Sequence, residues 1–355
     1  MRRDKRFTSL RGVVALPAML AVTMLGVVPA PAATATSPAA QAVISFDQAA
    51  ATPPKKYRIA YLTECVDNPY CIARLDGLKA AAKKFGFEFK IFDANFSPAT
   101  QAKVVENAVT EGFDGYLFGP AAAQSGCGLW NRLLKPTGKP VVSIDIAMCG
   151  DPDYTPGLAA TFTMQGPAHF GDSINNAFKS CTTPCKVAAV GGFVGSDLFT
   201  YWEGAIKSGI KTYPNVTVVV DEPANFDPRM ALKKIQDALL AHPDITVVLS
   251  SWDDMSRGVE QAIRAAGKQP GSEVRIYSGG ATKLGVDKVK AGVFNATTAY
   301  LPYEEAYYGS VALIMALEGK PVNAYIDEAL LPKVVDSTGT IIIDKTNADK
   351  YTPNY

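Results

Sequence analysis

The chain of 355 residues carries 35 lysines and arginines against 34 acidic residues, which leaves a formal net charge of +1 at pH 7. Because nucleic-acid binding depends on an excess of basic side chains, this balance gives no electrostatic indication of a nucleic-acid partner. Roughly 300 residues remain once an N-terminal export segment is set aside, and that length suits two α/β domains.

The N-terminal stretch has the composition of a secretory signal peptide. Basic residues precede an apolar run over residues 12–28, and Ala30-Pro31-Ala32 follows as a small-residue cleavage site. We predict a signal peptide at residues 1–32 and a disordered tether, rich in Ala, Thr, Ser and Pro, at residues 33–56. A retained membrane anchor and a twin-arginine signal are the alternatives. The sequence therefore predicts a periplasmic or secreted protein.

Residues 57–85 have the pattern of a strand, a polar loop and a helix. The strand is predicted at 57–62 and the helix at 72–85, and the loop between them holds Asp67, Asn68 and Tyr70. This pattern is typical of the start of a parallel βαβ layer, in which ligands bind beyond the carboxyl ends of the strands. The loop is therefore a candidate ligand site.

Apolar runs of strand length alternate with helical segments along the rest of the chain. Further strands are predicted at 88–92, 114–118, 140–144, 186–191, 216–220, 245–250, 273–277 and 294–299. The helices between them are predicted at 98–111, 168–179, 199–212, 228–241, 254–267, 282–291 and 303–318. This alternation predicts parallel sheets that are covered by helices on both faces.

Six cysteines in a chain predicted to be exported indicate disulfide bonds. Zinc is the alternative, but the only two histidines, His169 and His242, do not stand at ligand spacing. A bond within the first loop would stiffen the backbone around Tyr70 and lower the ordering cost of binding. We predict three local pairs: Cys65 with Cys71, Cys127 with Cys149, and Cys181 with Cys185.

Four stretches match one protein family in order and spacing. They are Asp67–Cys71 with its following helix, Gly112–Pro120, Lys139–Asp145, and the run from Asn225 to Met255. The chain resembles the ribose-binding-protein branch of the bacterial periplasmic binding proteins over nearly all of residues 57–335. The resemblance implies an α/β fold with two Rossmann-like lobes, whose parallel sheets are joined by a three-strand hinge (type I periplasmic binding protein).

The same resemblance implies where the lobes begin and end. The N-terminal lobe is expected at residues 57–160 plus 301–329, and the C-terminal lobe at residues 161–300 plus 330–355. The chain would then cross between the lobes near residues 160, 300 and 330. Helix 303–318 would pack back on the first lobe, and the lobes would close on a ligand about the three crossings.

Position by position, the resemblance implies nine ligand-contacting residues. An alternative interpretation makes Asp145 the cap of a turn and Asp253 part of a helix N-terminus, with Phe199 and Phe226 in the core. A purely structural role is hardest to assign to Tyr70, since its loop lies at the edge of the sheet with little core beside it. The nine residues are Asn68, Tyr70, Asp145, Phe199, Tyr201, Phe226, Trp252, Asp253 and Tyr300.

The chain departs from the sugar-binding pattern of this family at several positions. An arginine is usual where Ile146 stands, and another is expected near Phe199 and Tyr201. Trp252 stands where an asparagine is common, and Gly279-Gly280 stands where an aspartate that binds sugar is expected. Tyr300 stands where a glutamine is expected. Planar polar side chains hold sugar hydroxyls, while aromatic faces cover C–H surfaces and cations. We therefore expect a small ligand that is a sugar or sugar-like, less hydroxylated than a pentose, or partly aromatic or cationic.

The resemblance implies an extracytoplasmic solute-binding protein that delivers its ligand to the membrane permease of an ABC transporter. The ligand-binding component of a signalling or chemotaxis receptor is the alternative. A secreted enzyme is the third hypothesis, with a glycosidase-like carboxylate pair. However, the sequence lacks a Gly-x-Ser-x-Gly elbow, a Walker loop and a His-Glu-x-x-His motif, and we interpret both histidines as structural. We expect a monomer with no cofactor and no metal.

Overall fold

A computed structural model describes residues 55–355. The predicted signal peptide lies outside the described residues, and so does the predicted tether up to residue 54. Within residues 55–355, no helix combines the length and the apolar character needed to span a membrane.

Two six-stranded sheets form the framework of the described chain. The first sheet is entirely parallel, with strand order β11-β5-β4-β3-β1-β2. Its strands are β1 (Arg58–Thr63), β2 (Glu88–Asp93), β3 (Gly115–Phe118), β4 (Val141–Ser143), β5 (Ala160–Thr163) and β11 (Tyr325–Asp327).

The second sheet has the order β12-β10-β9-β8-β6-β7, and only β12 runs antiparallel to its neighbour. Its strands are β6 (Cys185–Gly191), β7 (Val216–Pro223), β8 (Ile245–Ser250), β9 (Arg275–Gly280), β10 (Ala296–Ala299) and β12 (Ile342–Asp344). Two mainly parallel sheets confirm the predicted α/β fold with two Rossmann-like lobes.

Helices connect the strands of both sheets. The first lobe contains α1 (Pro69–Phe85), α2 (Pro98–Glu111), α3 (Ala123–Leu129) and α9 (Pro302–Leu317). The second contains α4 (Pro167–Lys179), α5 (Asp197–Thr212), α6 (Pro228–Ala241), α7 (Asp253–Ala265) and α8 (Lys283–Lys290), and the short α10 (Pro332–Val335) follows β11. Helix α9 packs against α1 and against the first sheet, as the family resemblance implies.

One strand-to-helix connection occurs in both lobes. The sequence Ala-Asn-Phe precedes a capping residue and a proline in 94–98 and again in 224–228. Each Asn-Phe pair adopts positive φ angles, 46° and 55° in the first lobe and 52° and 54° in the second. The side chains of Ser97 and Asp227 then accept hydrogen bonds from the first turns of α2 and α6, and the proline fits the first helical position.

The nine predicted strands and eight predicted helices are all present, most of them within three residues of their predicted bounds. The sequence missed the short helices α3 and α10 and three strands of three or four residues, namely β5, β11 and β12, because such short runs carry too little periodicity. Strand β5 extends the first sheet to Thr163, beyond the expected bound at residue 160. After Ala299 the chain returns to the first lobe through α9, and it leaves the first sheet again after Asp327.

Gly77 allows α1 and α9 to approach closely, and its replacement tests that contact. A Cβ atom on Gly77 would lie 2.1 Å from the backbone oxygen of Tyr303, whereas one on Gly204 in α5 meets no heavy atom within 4 Å. We expect Gly77→Ala to lower the free energy of unfolding by about 1–3 kcal/mol through overpacking. Gly204→Ala should raise it by about 0.5–1 kcal/mol, since alanine favours a helix.

Chemical denaturation of both variants and the unchanged protein checks this prediction. Equal stability of the two variants would contradict the close packing of α1 on α9.

Candidate functional site

The loop after β1 is fixed by a disulfide bond and a helix cap. Cys65 and Cys71 are bonded, and the Oδ1 atom of Asn68 accepts a hydrogen bond of 2.9 Å from the Cys71 backbone N–H. Asn68 therefore uses its oxygen to begin α1. The other predicted pairs are also bonded, so all six cysteines are paired as predicted: Cys65–Cys71, Cys127–Cys149 and Cys181–Cys185.

Tyr70 connects this loop to two carboxylates. Its side chain is buried, and its hydroxyl lies 3.3 Å from Oδ1 of Asp145 and 3.2 Å from Oε1 of Glu305. Asp145 follows β4 with a φ of 75° and also accepts a 3.1 Å hydrogen bond from Nε2 of Gln165. One hydroxyl proton cannot serve two carboxylates at once, so a proton held by one of these acids would complete the arrangement.

Arg74 lies behind Tyr70 and is fully buried. Its guanidinium forms ion pairs with Glu64 and with Oε1 of Glu305 at 3.1 Å, and it lies 3.9 Å from Oδ2 of Asp145. It also lies over the Tyr70 ring, 5.2 Å from the ring centroid. We call Arg74, Glu64, Asp145 and Glu305 the acidic cluster, because three carboxyl groups share one cation.

The acidic cluster has three carboxyl groups and only one cation, and its affinity for protons follows from this excess of carboxyl groups. Burial, reinforced by the neighbouring Glu64 carboxylate, raises the pKa of Asp145 to about 6, although Arg74 opposes the shift. Burial also raises the pKa of Glu305 well above its usual range against the attraction of Arg74. The cluster is therefore able to hold protons at pH values where exposed carboxyl groups are ionised.

Aromatic rings meet at the carboxyl ends of both sheets. The Trp252 ring stacks with Tyr300, with centroids 5.8 Å apart, and with Tyr355, with centroids 5.9 Å apart. The Tyr355 ring stands perpendicular to Tyr70 at 6.3 Å, and the Tyr300 hydroxyl donates a 2.7 Å hydrogen bond to the Ser251 carbonyl. Tyr70, Trp252, Tyr300 and Tyr355 form the aromatic cluster, packed around the Cys65–Cys71 disulfide.

Asp253 is buried at the start of α7 and bonded within its own lobe. Its carboxylate accepts hydrogen bonds from the Thr282 backbone N–H at 2.9 Å, the Thr282 hydroxyl at 3.0 Å and the Thr297 hydroxyl at 2.8 Å. Burial raises its pKa to about 6. These three donors give Asp253 a structural role, and its predicted contact with ligand stays a prediction.

Phe199, Tyr201 and Phe226 lie in the second lobe, outside the aromatic cluster. Phe199 packs in the interior beneath Gly191, where an added Cβ would lie 2.7 Å from its ring. Tyr201 is partly buried, and burial together with the carboxylates of Asp197 and Asp145 raises its pKa. Phe226 packs on Phe193, with ring centroids 5.4 Å apart. Their ligand contacts also stay predictions.

The structure thus gathers Tyr70, Asp145, Trp252 and Tyr300 at one place, and it adds residues that the sequence did not single out. Arg74 and Glu305 complete the acidic cluster, and Tyr355 completes the aromatic one. The acidic cluster has one signal in the sequence. Arg74 lies on the inward face of the predicted helix 72–85, among apolar residues of the core.

Comparison with known proteins establishes the family. The model of the periplasmic binding protein domain matches residues 59–321, and the chain belongs to this family. The ribose import binding protein of Escherichia coli (strain K12) is 25% identical over 269 residues, which cover 76% of this chain and 88% of that protein. The xylitol-binding protein of Mycolicibacterium smegmatis is 23% identical over 265 residues, covering 74% of this chain and 73% of that protein.

Solved structures of similar proteins share the fold. The Caulobacter myo-inositol binding protein has a TM-score of 0.71 at 18% identity and covers 85% of this chain and 98% of its own. A solute-binding protein from Actinobacillus succinogenes 130z with bound D-allose has a TM-score of 0.71 at 20% identity and covers 83% and 100%. Both the predicted family resemblance and the predicted type I periplasmic binding protein fold are confirmed.

The raised pKa of Asp145 predicts how stability depends on pH. Its pKa of about 6 in the folded protein exceeds that of an exposed aspartate, about 3.9, so folding favours the protonated form. The stabilisation is complete below about pH 4 and is lost as the pH rises through about 6. We expect Asp145→Asn, which carries no titrating proton, to show a smaller loss of unfolding free energy between pH 4 and 7, by about 1–3 kcal/mol.

Denaturation at intervals between pH 4 and 7 measures this difference. Asp76→Asn, at an exposed position of α1, serves as the control and should follow the unchanged protein. Parallel pH profiles of Asp145→Asn and the unchanged protein would contradict the raised pKa of Asp145 in the folded protein.

Proposed function

We propose that this protein is an extracytoplasmic solute-binding protein that binds a small sugar or polyol between its lobes and delivers it to an ABC transporter permease. The observation that carries the proposal is the meeting of Tyr70 and Asp145, from the first lobe, with Trp252 and Tyr300 at the carboxyl ends of both sheets. Ligands of open α/β sheets bind at such ends. Relatives whose names specify ribose import and xylitol binding support the ligand class.

The chemistry of the site favours a ligand that donates hydrogen bonds. Asp145 is a hydrogen-bond acceptor, used here by Tyr70 and Gln165, which a ligand hydroxyl would replace. The aromatic cluster consists of flat rings, stacked on one another here, of the kind that suits the C–H surface of a sugar or polyol. Arg74 is already engaged by Glu64 and Glu305, so it does not provide a free cation for an anionic ligand. A neutral polyhydroxylated ligand therefore suits a site with acidic acceptors, aromatic rings and an engaged cation. A cationic ligand suits it better than an anionic one does.

Closure of the lobes would couple binding to transport. A hydrogen bond of 2.8 Å already joins the lobes, from the Ala123 backbone N–H at the start of α3 to Oδ2 of Asp197 at the start of α5. A ligand that contacts Tyr70 in one lobe and Trp252 in the other favours the arrangement in which both rings are within reach. We infer that the permease recognises this closed arrangement.

The predicted signal peptide would place the mature protein outside the cytoplasm, where its three disulfides are stable. Binding and release, rather than chemical conversion, is the proposed activity.

Calorimetric titration of the mature protein tests the ligand class. The panel should hold D-ribose, xylitol, D-allose, myo-inositol, a quaternary amine such as choline, and an anionic control such as gluconate. Saturable binding of a neutral sugar or polyol, with a smaller radius of gyration by X-ray scattering at saturation, is expected. Binding of gluconate alone, or saturation without any change in radius, would overturn the proposal.

Two aromatic substitutions test the position of the site. We expect Tyr70→Ala and Trp252→Ala each to weaken binding of the ligand found in this panel by about 1–3 kcal/mol, the cost of removing an aromatic anchor from a desolvated pocket. Tyr303→Ala, which removes a half-buried ring that stacks on Tyr307 outside the aromatic cluster, should leave the affinity unchanged.

Melting curves of the same variants separate binding from folding. A normal melting temperature with unchanged affinity for Tyr70→Ala or Trp252→Ala would remove that residue from the site.

A further inference from the structure

Residues 351–355, which end in the aromatic cluster at Tyr355, are fixed by contacts of Tyr351 and Asn354. Tyr351 is buried beneath the Lys333 ammonium group, which lies 5.3 Å from its ring centroid. The Asn354 amide donates a 2.6 Å hydrogen bond to Oε2 of Glu304 in α9, and its oxygen accepts one of 3.0 Å from Lys333. The segment is therefore attached to the first lobe through Glu304.

Tyr355 is attached to the second lobe. Its hydroxyl donates a 3.1 Å hydrogen bond to the Gly280 carbonyl at the end of β9, and its own carbonyl accepts one of 2.7 Å from the Lys283 backbone N–H. Its ring stacks on Trp252 and meets the ring of Tyr70 edge-on. One side chain thus lies between the two aromatic residues that are proposed to cover the ligand.

The end of β9 leaves room for these rings. A Cβ on Gly279 would lie 2.6 Å from the Tyr300 hydroxyl, and one on Gly280 would lie 3.2 Å from the Trp252 ring. Gly280 also has a φ of 120°, which disfavours any other residue. Because β9 provides no side chain here, aromatic rings from other parts of the chain, Tyr355 among them, occupy this end of the cleft.

We propose that Tyr355 is a specificity-determining residue, whose ring forms a wall between Tyr70 and Trp252 and limits the size of the ligand that both can contact. The inference rests on the proposed function, because it concerns the same cleft. Tyr355 itself is bonded to Gly280 and Lys283, and the neighbouring Asn354 is bonded to Glu304 and Lys333. These four hydrogen bonds hold the ring in place. A fixed ring excludes bulk, and its removal admits larger ligands.

The test compares a smaller and a larger probe in three proteins. Calorimetry gives the dissociation constants of xylitol, an open five-carbon chain, and myo-inositol, a six-carbon ring, for the unchanged protein, Tyr355→Ala and Tyr355→Phe. We expect Tyr355→Ala to shift the ratio of the two constants at least tenfold in favour of myo-inositol. Tyr355→Phe keeps the ring and should keep the ratio, and Tyr303→Ala is the control for loss of a distant tyrosine.

Acrylamide quenching of tryptophan fluorescence tests the position of the ring without ligand. Trp130 and Trp202 are buried, so the loss of the Tyr355 ring should increase quenching through Trp252. Unchanged quenching in Tyr355→Ala would overturn the placement of the ring.

The binding results separate the two proposals. Binding by the unchanged protein with the same ratio in Tyr355→Ala would overturn the specificity role and leave the proposed function standing. Binding by Tyr355→Ala alone would make Tyr355 a plug, which also overturns the role of a wall. Absence of binding to any neutral panel member in both proteins would overturn the proposed ligand class and the inference with it.

Discussion

The burial of Arg74 is the constraint on which the packing of the first lobe around Tyr70 depends. A guanidinium taken out of water costs several kcal/mol unless carboxylates surround it in good geometry. Those carboxylates come from the end of β1 and from α9, through Glu64 and Glu305, so one cation fixes three elements relative to each other. Even Gly119 fits this requirement, since a Cβ there would lie 2.7 Å from the Glu64 carboxylate.

Tyr70 joins the charged part of the site to its aromatic part. Its hydroxyl faces Asp145 and Glu305, while its ring contacts the Arg74 guanidinium and Tyr355. A ligand that displaces or reorients this ring would therefore change the hydrogen bonding of the buried acids. If the proposed ligand contacts Tyr70, its binding and the protonation of the acidic cluster would be linked through this single side chain.

Local sequence patterns were sufficient to predict most of the fold. Capped, proline-started helices such as α2 and α6 and apolar strands such as β8 carry their signals within a few residues. Strand β11 has three residues and forms only because β5 lies beside it, so no local pattern predicts it. The fold was thus predictable wherever an element is long enough to show its own periodicity.

The site was predictable only in part, and the reason is distance along the chain. Tyr70, Asp145, Trp252 and Tyr300 follow strands, and the family resemblance places them. Arg74 and Glu305 are 231 residues apart, and no spacing rule brings them together. Tyr355 lies beyond residues 57–335, the range that the resemblance covers, so no family position could be carried over to it.

The discontinuity of the first lobe has a consequence for folding. Helix α1 needs α9 as its partner, and β5 needs β11, yet the whole second sheet except β12 lies between them in the chain. A chain that folds as it emerges from its N-terminus would hold an incomplete first lobe until residues 302–327 follow. Contacts of such long range form slowly. The connectivity that takes the chain out of the first sheet and back into it therefore also delays folding of the first lobe until residues 302–327 are available.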